Sequence, residues 1–293
     1  MIKRVLYNGI TWVDIERPSA EEVAEIAKEF KLHQLVTSEL LSPSLRPKID
    51  LHKDYLYIIL HFIDDKEVDF ILGKDFIITT RYEEIEPLIK FSKALSIGEQ
   101  MHNTDFNSGV LFYYITKGLY TELEDELTRL RVHMKNIEEK IYSGDEKEMV
   151  MELAHSGRKI LDFHQSLDPH KDVLTSYQNH TEGFYGEKYN RYATTLMANF
   201  YKVHQRIKRI SAMHMELRAT NDSLLATKQN SIMQVFTIVA FVTLIPSLIS
   251  GIFGMNTKSM PFIGLPYDFW LIIVTMFALS IGVFWFFKYK KFI

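Results

Sequence analysis

From Gln229 to Thr257 the chain reads QNSIMQVFTIVAFVTLIPSLISGIFGMNT, 29 residues without a charge. A second charge-free run, Phe269 to Phe287, spans 19 residues. A bilayer core of about 30 Å is crossed by roughly 20 apolar residues in a helix, so each run is long enough to span once. A soluble protein can hide one such helix in its core. Two of them, adjacent near the C-terminus of a 293-residue chain, instead read as membrane spans. Trp270 stands near the start of the second run, and Trp285 and Tyr289 near its end, as aromatic belts do. The basic tail of Lys288, Lys290 and Lys291 points to the cytoplasm, and the loop from Gly254 to Asp268, with one Lys and one Asp, is the outside segment. Two crossings return everything before residue 229 to the cytoplasm, and the first residues lack an apolar leader. The expected placement is a plasma (inner) membrane with both termini cytoplasmic.

Composition narrows the function classes. The chain has no cysteine, which removes disulfide scaffolds, thiolate metal sites and cysteine nucleophiles. Its net charge is −3, with pI near 6.4, so the basic footprint of a nucleic-acid binder is missing. Residues 230–293 carry four lysines and one aspartate, so the remainder holds a net −6. No nucleophile, metal-ligand or Gly-rich phosphate motif points to an enzyme. Eleven histidines include no His-Glu-x-x-His pattern, and His155, His164 and His170 read as ordinary core or surface residues.

Upstream, Val5–Ile15, Tyr55–Leu60, Val68–Ile71 and Phe76–Thr80 are β-branched and aromatic stretches, with Leu72-Gly73-Lys74-Asp75 as a hairpin turn. Ser19 and Glu22 form a capping box for a helix to about Phe30, and Glu83–Leu95 reads as another helix. After Asn107 long helices take over: Val110–Tyr142 with Leu119, Leu123, Leu127 and Leu130, then a second from Asp145, then a third from roughly Glu182 into the first span. The expected organisation is a mixed α/β cytoplasmic domain over 1–107 and a long-helix region with a stalk helix over 108–229. A first transmembrane α-helix over 230–253, an external loop over 254–268, a second transmembrane α-helix over 269–287 and a basic tail over 288–293 follow.

Two helices cannot enclose a pore, so conduction requires several copies around an axis. Stepping by three or four from Asn230 gives Met233, Thr237, Ala240, Leu244, Ser247, Gly251 and Gly254, a small or mildly polar stripe. The other positions are mostly bulky and apolar. Small residues also let membrane helices pack closely, so packing and a wet lumen both remain open on spacing alone. The second span has only scattered Thr275, Ser280 and Gly282, and reads as the outer, lipid-facing helix.

Gly254-Met255-Asn256 at the outer end of the first of two C-terminal spans, with a short loop, a second span and a lysine tail behind it, resembles the CorA family of divalent metal-ion transporters, including its ZntB-like branch. Asn230-Ser231-Ile232-Met233 resembles that family's stalk-to-membrane junction, and Ile245 to Phe253 its approach to the signature. Arg46-Pro47-Lys48 before Asp54-Tyr55-Leu56, and Leu72 to Thr79, resemble its N-terminal domain. The resemblance implies a homopentamer with a cytoplasmic funnel and a pore lined by Asn230, Met233, Thr237, Ala240, Leu244, Ser247 and Gly251. It also implies a selectivity ring at Gly254, Met255 and Asn256, where Asn256 meets a hydrated divalent cation. The cargo implied is Mg²⁺, with Co²⁺, Ni²⁺ or Zn²⁺ as further candidates. No cofactor is called for, and the expected partners are other copies of the chain, the lipid bilayer and the transported ion.

The chain departs from many magnesium-type members in two places. The loop reads Met260-Pro261-Phe262 with a basic Lys258, without an acidic residue after the Met-Pro. Residues 188–215 of the stalk contain no Asp or Glu but six basic residues, so the family's regulatory metal site is not carried over to this chain. Acidic clusters lie elsewhere, at Glu122, Glu124, Asp125 and Glu126 and at Glu138, Glu139, Asp145, Glu146 and Glu148. They are expected to form solvated faces paired with Arg129, Arg131, Lys135 and Lys140. Two rivals follow: a ZntB-like zinc transporter coupled to protons, and a non-conducting membrane sensor or scaffold.

Overall fold

Asn8 and Gly9 both take positive φ, 47° and 80°. This pair makes the tight turn of a hairpin between strands β1 (Ile2–Tyr7) and β2 (Ile10–Glu16). The Val5–Ile15 stretch is therefore two strands, divided at the Asn-Gly pair. In the computed structural model residues 2–64, 66–96, 106–256, 261–264 and 266–290 are described. Strands β3 (Lys48–Leu51), β4 (Tyr55–Phe62), β5 (Lys66–Gly73) and β6 (Phe76–Arg81) complete a six-stranded sheet in the order β1-β2-β6-β5-β4-β3. Only the β2–β6 pair is parallel, so the sheet is mixed as expected.

Side chains alternate across this sheet with period two. Val13, Ile15, Tyr57, Ile59, Ile71 and Ile78 face α1 (Ala20–Phe30) and α2 (Gln34–Glu39), meeting Val23, Ile26 and Val36. The Ser19–Glu22 capping box opens α1 as the sequence indicates. On the opposite face Trp12 packs against Phe91 of α3 (Glu86–Ser96), with ring centroids 5.8 Å apart. Phe70 meets Phe112 of α4 (Ser108–Ser143) edge-on at 5.0 Å, and Phe112 meets Tyr177 at 4.9 Å.

A polar network threads this apolar layer. Trp12 Nε1 donates to Thr79 Oγ1 (3.0 Å), which donates to Asp14 Oδ1 (2.8 Å). The fully buried Arg81 bonds Asp14 Oδ2 at 3.3 Å and Glu16 Oε2 at 2.9 Å. A buried guanidinium is tolerated only with such partners.

Asn107 caps the start of α4 through Val110 N, and Gly144, at φ 106°, ends it. Leu119, Leu123, Leu127, Leu130, Met134, Ile137 and Ile141 form its buried stripe. α5 (Glu146–Leu167) and α6 (His170–Tyr185) follow, and Ser166 Oγ and His170 Nε2 bond the carbonyls of Phe62 and His61 on β4. The expected third helix from Glu182 starts later. Glu182 belongs to α6, which Gly186 at φ 98° terminates, and α7 runs from Asn190 to Phe253. The chain forms two compact units, Met1–Arg218 and Ala219–Ile293, with α7 contributing to both. In the second unit α8 (Asp268–Tyr289) follows. The C-terminal part of α7 and α8 are each long and apolar enough to cross a membrane.

Candidate functional site

Within the second unit one face of α7 packs on α8 and the opposite face does not. Ile238 is only 4% exposed, and Val242, Ile245, Ile249 and Phe253 are half-buried, at helical spacing. On α8, Ile272 and Ile273 and then Met276, Ser280, Val283 and Phe287 are half-buried, at the three-four spacing that suits a helix–helix seam. Phe241 and Phe287 bring their rings to 5.7 Å. At about 100° per residue, the stripe of Asn230, Met233, Thr237, Ala240, Leu244, Ser247 and Gly251 is centred roughly 150° from the α8-packed face. All seven are exposed in the single chain. The structure thus keeps the stripe together, on the side of α7 that α8 leaves uncovered.

The hydroxyls of this stripe are tied to their own helix. Thr237 Oγ1 donates to the Met233 carbonyl at 2.8 Å, and Ser247 Oγ to the Thr243 carbonyl at 3.0 Å. Their protons are spent, so what they offer outward is acceptor lone pairs. A hydrated cation presents only water hydrogens, to which the Thr237 and Ser247 lone pairs are complementary.

Pro246 lies inside α7 and has no N–H for the Val242 carbonyl one turn earlier. Ser280 Oγ of α8 donates to that carbonyl at 3.4 Å. Ser280 is thus more than a scattered polar residue: it answers the vacancy that the proline creates. Sequence alone pairs a serine with a proline 34 positions away only once the helix seam is known, although the proline itself signals an orphaned carbonyl.

α7 ends at Phe253, and Gly254 N still bonds the Ser250 carbonyl at 2.9 Å. A Cβ on Gly254 would sit 3.0 Å from that same oxygen, a tight contact that glycine avoids. Met255 N reaches the Ile252 carbonyl at 3.2 Å, and both Met255 and Asn256 are exposed. The Asn256 amide makes no hydrogen bond among the described residues. Beyond it Lys258 and Met260 lie outside the described residues, as does Lys291 of the tail. Asp268, the loop's acidic residue, accepts from Gly264 N (3.1 Å) and Phe269 N (2.7 Å), one with each carboxylate oxygen. Its charge is engaged in starting α8. Lys288 sits exposed in the last turn of α8, where a cation suits the helix dipole, and Lys290 caps it.

The expected pairing of the acidic face holds only in part. Glu126 bonds Arg129 at 2.7 Å, and Glu124 is held by Lys202 at 2.7 Å and Arg206 at 3.5 Å. Arg131 and Lys135 have no acidic partner among the described residues; they border a cleft with Arg206 and Arg209. His170 is a core residue: Tyr120 Oη donates to its Nδ1 at 2.8 Å, its Nε2–H donates to the His61 carbonyl, and burial lowers its pKa to about 4. Among the described residues no group of three or more His, Asp or Glu side chains is arranged to hold a metal.

A mixed-sheet domain, long helices and two apolar C-terminal helices with the Gly-Met-Asn turn between them make up a fold with two candidate membrane spans. The chain belongs to the CorA family: the family model, described as CorA-like Mg²⁺ transporter protein, matches residues 7–290. The cobalt/magnesium transport protein CorA of Thermotoga maritima is 20% identical over 297 residues, covering 96% of this chain and 83% of the relative. The complete CorA magnesium transporter structure from Methanocaldococcus jannaschii superposes with a TM-score of 0.85 at 20% identity, over 97% of this chain and 92% of that one. The ZntB cytoplasmic domain of Vibrio parahaemolyticus superposes with a TM-score of 0.64 at 12% identity, over 75% and 90%.

Proposed function

We propose that this chain forms a homopentameric channel that imports divalent cations, Mg²⁺ first, with Co²⁺ or Ni²⁺ as further cargo. The single observation that carries the reading is the division of α7 into an α8-packed face and, opposite it, the small, acceptor-bearing stripe that ends at Gly254-Met255-Asn256. Five copies of that stripe around an axis make a wet lumen, with α8 outside toward lipid.

Mg²⁺ releases its waters reluctantly, so a selective entrance does better to hold the hydrated ion. A ring of Asn256 amide oxygens accepts hydrogen bonds from those waters without the deep trap of a carboxylate ring, and so lets the ion leave again. Further in, Met233 and Leu244 are apolar constrictions that gate by dewetting. With both termini in the cytoplasm of a cell whose interior is negative by 100 mV, a divalent ion gains roughly 4.6 kcal/mol on entry, twice the ~2.3 per charge. No nucleotide hydrolysis is needed.

A second reading, zinc import coupled to protons, is favoured by the stalk, whose residues 188–215 contain no carboxylate. The deciding experiment is divalent-ion flux into proteoliposomes, wild type beside Asn256→Ala, with Mg²⁺ and Zn²⁺ run separately and with or without an inward proton gradient. Voltage-driven Mg²⁺ entry lost in the variant is the expected result. Zinc entry that needs the proton gradient would transfer the case to the second reading. No flux of either ion from intact oligomers would overturn both and leave a sensor or scaffold.

A further inference from the structure

Between α4 and α7, in the first unit, lies a cleft of about 810 Å³ lined by Arg131, Lys135, Arg206 and Arg209, with a single carboxylate, Glu138. The size is that of a small-molecule pocket. Its apolar lining comes from Leu127, Val132, Ile210 and Met213. Val132 is 57% exposed here, a large aliphatic side chain turned toward an open cleft.

The charge is unusual for this chain. The first 229 residues carry a net −6, yet four cations from two helices converge on one depression. Arg206 leans on Glu124 at 3.5 Å, a long contact that Lys202 shares. Arg131, Lys135 and Arg209 have no ion pair or hydrogen bond among the described residues. Like charges gathered around a partly enclosed space repel one another, and the fold gains nothing from keeping them unneutralised. The arginine forks match phosphate oxygens two at a time, which the lysine supplements as a point charge.

We propose that this cleft is an anion site for a nucleoside polyphosphate, with the phosphates on Arg131, Lys135, Arg206 and Arg209 and the base against Val132, Ile210 and Met213. An inorganic phosphate would leave the apolar lining unused. A purely apolar ligand would leave Arg131, Lys135 and Arg209 uncompensated. The bound ligand would bridge α4 and α7, and Glu138 sets an upper limit on affinity because it repels the phosphates.

The test uses the full-length protein in lipid nanodiscs, with EDTA present so that cation loading does not enter, and equilibrium dialysis against labelled ATP. Saturable binding of one ATP per chain is expected. The Arg131→Gln/Arg209→Gln variant should weaken it at least tenfold, about what losing one charge-assisted contact costs. Glu138→Gln should tighten it severalfold, a gain that a misfolded variant cannot give. Tripolyphosphate should bind more weakly than ATP. Absence of saturable ATP binding, unchanged affinity in the double variant, or tripolyphosphate binding as tightly as ATP would each overturn the proposal. None of these readouts depends on ion flux, so the assignment stands or falls apart from the channel reading.

Discussion

Ser280→Ala tests whether the seam between α7 and α8 is built around the proline. Pro246 removes the donor that would satisfy the Val242 carbonyl, and Ser280 Oγ supplies a substitute at 3.4 Å. In a membrane such side-chain hydrogen bonds average about 0.6 kcal/mol, with about 1.7 kcal/mol as the ceiling. The contact is long for an O–H donor, which places it in the lower half of that range. Ser280→Ala should therefore cost about 0.6 kcal/mol. Pro246→Ala restores an N–H at position 246, and the helix then satisfies Val242 by itself. In that background Ser280→Ala should cost close to nothing, so the two substitutions are non-additive by about the full value of the contact. Equilibrium unfolding in mixed micelles, followed by helical ellipticity for the four proteins of the cycle, reads this directly. An equal cost of Ser280→Ala in both backgrounds would refute the pairing and leave Ser280 as a small seam residue with no tie to the proline.

Two further outcomes concern the first unit. Arg81→Met leaves Asp14, 3% exposed, as a buried carboxylate without its cation, and should destabilise by about 3–5 kcal/mol, seen as a large fall in thermal midpoint. Adding Asp14→Asn should recover part of the loss. His170 is buried and neutral with a pKa lowered from 6.5 to about 4 by desolvation, so the unfolded chain takes up its proton first. Its contribution is fully present above pH 6.5 and drains away as pH falls toward 4, by up to about 3 kcal/mol at ~1.36 per unit. In His170→Gln the difference in stability between pH 7 and pH 4.5 should shrink; an unchanged difference would contradict the assignment.

What the sequence disclosed follows the reach of each signal. The spans were legible because 29 and 19 charge-free residues are a property of composition, independent of any partner. The capping box of α1 was legible because it is local to four residues. The β1–β2 hairpin was hidden because the β-branched and aromatic residues on both sides of Asn8-Gly9 read as one stretch and outweighed the turn dipeptide that splits it. Strand β3, only Lys-Ile-Asp-Leu, is too short and too polar to register; it forms because β4 offers an edge. The stripe on α7 was legible as a pattern, but which way it faces was not, because that depends on where α8 packs. Likewise Arg131 and Lys135 looked like partners for the acids on their own helix. Only the packing of α7, some 75 positions further on, sets them beside Arg206 and Arg209 instead.

The absence of cysteine gives the pore assignment its sharpest trial, because an introduced thiol is the only one in the protein. A water-soluble thiol reagent attacks the thiolate, and hydrocarbon both suppresses ionisation and excludes the reagent. If the stripe faces a wet lumen, Ala240→Cys, Ser247→Cys and Gly251→Cys react in intact membranes. Ile238→Cys, Ile245→Cys and Ile249→Cys, on the face that α8 covers, stay unmodified. Val239→Cys, off the stripe and exposed in the single chain, separates two explanations of reactivity. A lumen predicts that it reacts slowly, whereas a helix loosely surrounded by water predicts that it reacts as fast as Ser247→Cys. Close packing between copies without a lumen predicts no reaction on the stripe at all. Reactivity recurring every three to four residues along the stripe is therefore the pattern that requires water on that face, and uniform reactivity or reactivity on the α8 face would refute it.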